Sequence, residues 1–194
     1  MKKRSLKTKL LALSVVLILA ALSVYGTLAY FTAQGTARNV ITTGSISITL
    51  DETSVDETGA VSVFKDVAGV MPGAEISKIV AVTNTGANSA WVRIGVDKRI
   101  DLAQGVTGEP DTGLVTMDLN TTDWTLGSDG YYYYNTVLQP GATTAPLFTA
   151  VTFDTSMGNM YQNSVAYIDV YAAAVQTAHN GAAVMEAAGW PEAE

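Results

Sequence analysis

Apolar residues recur at every second position through most of this chain, and that period is what most limits its fold. In SISITL, Ile46, Ile48 and Leu50 share one face while Ser45, Ser47 and Thr49 share the other, the pattern of a strand with one buried side. EISKIVAVTN places Ile76, Val80 and Val82 on one face and Ile79 and Ala81 on the other. AWVRIGV sends Ala90, Val92, Ile94 and Val96 inward and Trp91 and Arg93 outward. These two segments read as an antiparallel pair. LVTMDL repeats the alternation at Val115, Met117 and Leu119. DWTLGSDGYYYYNTVL has the form of a hairpin: a strand through Trp124 and Leu126, a turn at Gly127-Ser128-Asp129-Gly130, and a return strand of tyrosines. LFTAVTF and SVAYIDVYAAAVQ close the set, the second apolar on both faces as expected near a sheet centre.

Between these runs lie the residues that break them. DETSVDETGA reads as an acidic loop, VSVFKDV as a weak strand, Pro72-Gly73 as a turn, and residues 97–113 as a surface loop. Residues 182–188 read as a short terminal helix stopped by Gly189 and Pro191. Seven or eight short strands without a long helix predict an all-β, jelly-roll-like antiparallel sandwich; periodicity alone does not separate a jelly roll from an immunoglobulin-like winding.

The first residues follow other rules. Five basic residues in MKKRSLKTK precede fifteen almost purely apolar ones, Leu10 to Val24. That is the layout of a secretory signal helix, and the run is shorter than the roughly 20 residues a bilayer core needs. Thr27 and Ala29 suit the −3 and −1 pockets of a signal peptidase, so cleavage is expected between Ala29 and Tyr30; an uncleaved anchor is the competing reading. The expected organisation is a signal peptide over 1–29, an N-terminal segment over 30–41, a sandwich over 42–177, and a C-terminal tail over 178–194. Beyond residue 29 stand eighteen acidic and only six basic residues, a net charge of −12. Such a surface repels nucleic acid and anionic lipid, leaving the uncleaved leader as the expected membrane contact. With no cysteine, disulfides, thiol catalysis and a lipoprotein anchor are excluded; packing and backbone hydrogen bonds must hold the fold.

Motifs of catalysis are missing. HExxH zinc chemistry needs two histidines a helical turn apart, and the chain has only His179. No GxSxG elbow or glycine-rich phosphate loop is present, so no enzyme and no cofactor are expected. Asp51, Glu52, Asp56 and Glu57, and Asp118, Asp123 and Asp129 around the hairpin, offer oxygens to a hard cation such as calcium, in a spacing that matches no EF-hand. Solvated loop charge is the alternative. Tyr131, Tyr132, Tyr133 and Tyr134 alternate across the sheet, and form either ordinary packing or a surface for a sugar or a protein.

Taken in order, several segments resemble one family. TLAYFT, followed by TTGSISITL, resembles the processing junction of the camelysins and TasA-type biofilm fibre proteins of Gram-positive bacteria. VMPGAEISKIVAVTNTGANSAWVRI, WTLGSDGYYYYNTVLQPGATTAPLF and NMYQNSVAYIDVYAAAVQT resemble later segments of the same family, so that the likeness covers most of residues 20–177. It implies a jelly-roll sandwich that forms extracellular fibres by donor-strand exchange, with itself or with related matrix subunits. Tyr30 and Phe31 would then open the mature chain as apolar anchors, and residues up to Val40 and Ile41 would add a strand to a neighbour. A tail packed on its own subunit is the alternative. Camelysins are also classed as metallopeptidases, a label that no zinc motif here supports.

Overall fold

A computed structural model describes residues 46–67 and 70–191. Among these residues, nine strands form two sheets. The first runs β2 (Val61–Val63), β1 (Ile48–Val55), β3 (Glu75–Asn84), β8 (Phe148–Phe153), β5 (Val115–Met117). The second runs β6 (Trp124–Leu126), β7 (Tyr132–Tyr134), β4 (Ala90–Asp101), β9 (Val165–Gln176). Every neighbouring pair is antiparallel, and the two inner faces enclose one core, so the all-β sandwich expected from the period is what forms.

The alternation explains which residues fill that core. Ile46, Ile48, Val80, Val82 and Phe148 come from the first sheet and its approaches, and Val92, Ile94, Ala172 and Ala174 from the second. Each fully buried valine, isoleucine or phenylalanine among them contributes about 1.5–3 kcal/mol, the main source of stability in a chain with no disulfide. Trp124 is 2% exposed; its indole N–H donates to the Ala145 carbonyl at 3.0 Å, and its ring meets Tyr134 at 5.0 Å.

Polar devices hold the irregular places. Asn84, fully buried, donates its side-chain amide to the Asn88 and Leu138 carbonyls and accepts from the Gly86 N–H. It thereby closes the turn after β3. Asp118 accepts the N–H groups of Thr149 and Ala150, each at 2.7 Å, beside the register shift between β3 and β8.

Six expectations are corrected. β4 runs on to Asp101, so the first five residues of the surface loop expected over 97–113 are strand, paired with β9. β3 and β4 do not pair: the turn after Asn84 carries the chain from one sheet to the other. β9 lies at the end of its sheet's strand order rather than at its centre. It is apolar on both faces because its outer side is also buried, at Ala173 and at Val175, the latter in a cluster with Val184 and Trp190 of the segment that follows the strand. The supposed acidic loop is half strand. Asp51 and Glu52 lie within β1, where Asp51 accepts from the Thr83 hydroxyl and Glu52 pairs with the buried Lys78 at 2.7 Å. The strand expected in VSVFKDV is limited to Val61–Val63. The terminal helix is only a 3-10 turn at Val184–Glu186, because Asn180 exchanges two hydrogen bonds with the backbone of Ala188 and folds the segment back on itself.

Candidate functional site: the outer face and edge of the four-stranded sheet

The hairpin of β6 and β7 turns at Gly127–Gly130, with the Gly127 N–H bonded to the Tyr131 carbonyl at 2.8 Å and Gly130 at a positive φ of 85°. Alternation then divides the four tyrosines. Tyr132 and Tyr134 pack on the main core, whereas Tyr131 and Tyr133 join a second cluster on the outer face, with Trp91, Val175, Val184 and Trp190.

In the middle of that cluster sits a residue the alternation placed on the outward face. Arg93 is only 8% exposed. Its guanidinium lies 3.9 Å from the Tyr131 ring centroid and 4.9 Å from that of Trp190. It donates to the Pro191 carbonyl at 3.0 Å, to the Tyr133 hydroxyl at 3.3 Å and to Asp129 at 3.3 Å. Its Nε has no partner among the described residues. Asp129 also accepts the Tyr133 hydroxyl at 2.7 Å. Partial burial opposes ionisation of Asp129, but the Tyr133 and Tyr131 hydrogen bonds and the Arg93 charge outweigh it, so its carboxyl lies below the usual aspartate range. Burial and the Asp129 contact push the Tyr133 phenol up. Tyr131 and Tyr133 therefore form the wall of an arginine socket closed by the C-terminal segment. A basic residue between aromatic and acidic positions on three different elements leaves no local signal in the sequence.

Farther along β4 and β9 the outer face is more open. Gly95 stands directly opposite Tyr171, whose ring lies over it so closely that a Cβ at position 95 would come within 2.0 Å of Cε2. Tyr131 meets that ring edge-on, at 5.7 Å and 81°. Burial, then the neighbouring Asp97 and Tyr131, push the Tyr171 phenol up. Beyond it Asp97 faces Asp169 across the ladder, and Arg99 stacks on Tyr167 at 4.0 Å while pairing with Asp101 at 2.5 Å.

Among the described residues β9 is also the last strand of its sheet. Over all twelve of its residues it pairs with β4, and among the described residues no strand pairs on its other side. β1, of the other sheet, comes close to it.

The remaining candidates are dispersed. Asp56 accepts from Thr58 and Ala60 within its own turn, Asp154 from Ser156, and Asp123 from Asn120. No group of three or more His, Cys, Asp or Glu side chains able to hold a metal occurs among the described residues. His179 is exposed, at a left-handed φ of 58° after β9. Thr27, Ala29, Tyr30, Phe31, Val40 and Ile41 lie outside the described residues. No protein-family profile, curated protein or solved structure matches the chain.

Proposed function

We propose that this chain is an exported structural protein of a Gram-positive cell surface or extracellular matrix, which assembles with copies of itself or related subunits when residues 30–41 of one add a strand to the next. The observation that carries the reading is the outer edge of β9. It runs for twelve residues with no proline or glycine and a single charged residue, Asp169. Natural sheets blunt such edges with prolines, lysines or bulges, because an unblunted one templates pairing with another chain. An extended segment of about twelve residues spans roughly 40 Å, the length of this edge. Burying the rings of Tyr30 and Phe31 would add on the order of 3–6 kcal/mol before ordering costs.

A jelly-roll winding of the two sheets belongs to the same reading, as do a leader over residues 1–29 and its removal by a signal peptidase. The reading assigns no catalytic step and no cofactor. Deleting residues 30–41 should leave a folded monomer that forms no filaments under electron microscopy. A synthetic peptide of residues 30–45 should bind that monomer one-to-one. Filaments that persist without the segment would overturn the proposal.

A further inference from the structure

Four tyrosine rings on the outer face of the four-stranded sheet stand beside carboxylates; Tyr133 donates to Asp129, and two others already hold a guanidinium. Arg93 lies on Tyr131 next to Asp129, and Arg99 lies on Tyr167 next to Asp101. Between these two is Tyr171, bordered by Asp97 and Asp169. Neither carboxylate forms an ion pair among the described residues. At the β4 position opposite the ring stands Gly95, whose missing side chain leaves the room that the ring itself takes, so that one face of the ring rests on the sheet.

Two local rules are broken here at once. Glycine inside a strand weakens it, and here it admits the Tyr171 ring flat against the backbone of β4. Like charges directly opposite on neighbouring strands repel, and Asp97 and Asp169 are such a pair. Conflicts of this kind in an otherwise consistent fold collect where a surface has another use. The ring pinned over Gly95 is half-buried, while both carboxylates are exposed.

We infer that Tyr171, Asp97 and Asp169 bind a cationic side chain of a partner polypeptide, an arginine in preference to a lysine, stacked on the ring and bridging the two carboxylates. Charge complementarity selects a basic segment: the chain beyond residue 29 carries a net charge of −12, which steers basic partners toward it. The preference for arginine follows from its planar group, which stacks and forks in a way an ammonium does not, and from the arginines in both filled places. The inference stands apart from the use made of residues 30–41.

The test is fluorescence anisotropy of a labelled peptide with three arginines spaced by Gly-Ser, at about 0.15 M salt, where long-range attraction is screened beyond roughly 8 Å. The peptide should bind saturably, and its lysine version more weakly. Asp97→Asn/Asp169→Asn should weaken binding about tenfold or more, and Tyr171→Leu should weaken it without changing the charge. Glu57→Gln/Glu109→Gln removes the same charge from exposed positions elsewhere and should leave binding unchanged. Equal losses in the two double variants would reduce the effect to diffuse attraction and overturn the inference, as would no binding at all. A chitosan oligomer that binds through Asp97 and Asp169 while the peptide does not would overturn it in favour of an amino-sugar ligand.

Discussion

Replacing Arg93 separates what its charge contributes from what its shape contributes. Contact with the Tyr131 and Trp190 rings is worth about 0.5–2 kcal/mol per face, and the hydrogen bond to the Pro191 carbonyl about 1.5 kcal/mol. The ion pair with Asp129 adds little, because that side chain is 42% exposed and water screens it. Opposing these is the loss of guanidinium hydration, several kcal/mol for a buried ion, made worse by the unpartnered Nε. The polar terms therefore come close to cancelling, and the packing remains. Arg93→Met keeps most of the volume and should change stability by less than about 1 kcal/mol. Arg93→Ala removes the floor beneath Tyr131 and Trp190 and should cost about 2–4 kcal/mol. It should also expose the C-terminal segment to protease. Urea unfolding followed by tryptophan fluorescence measures both. Equal destabilisation by the two variants would refute the cancellation, and a loss below about 0.5 kcal/mol in Arg93→Ala would refute the socket as a structural element.

Two further predictions concern buried and bulge-forming polar groups. Asn84→Asp would set a carboxylate against the Asn88 and Leu138 carbonyls that the amide now satisfies; unfolding experiments at pH 7 should find a loss of more than about 3 kcal/mol, partly recovered near pH 4 as the group protonates. Asp118 is held below the usual aspartate range: burial opposes this, and the Thr149 and Ala150 hydrogen bonds outweigh it. Its folded value being lowered, the unfolded chain takes up the proton first, so this contribution is complete above about pH 5 and is lost as pH falls through the folded value. Asp118→Asn should cost about 1 kcal/mol at pH 7 and flatten the acid limb of the stability profile; an unchanged limb would refute the role given to the carboxylate.

Much of the architecture was legible because a strand's period is a local property. The inward set of β4, the hairpin ends of β6 and β7, and the division of the four tyrosines between two faces all follow from alternation and turn residues. Pairing was not legible, because which strand lies beside which depends on distant segments. β3 and β4 are joined by a short turn, and they belong to different sheets. β9 reads as central from its composition and lies at the end of the order, since coverage by a following segment and coverage by neighbouring strands leave the same apolar pattern.

By itself, the order of residues determined the all-β class and the alternating faces, because each is set by the geometry of consecutive residues. Only the tertiary structure decided that Arg93 is buried under Trp190, that Asp118 anchors a strand irregularity, that Asp97 faces Asp169 and that β9 ends its sheet among the described residues. These depend on side chains brought together from separate elements by packing, a juxtaposition that no stretch of neighbouring residues encodes.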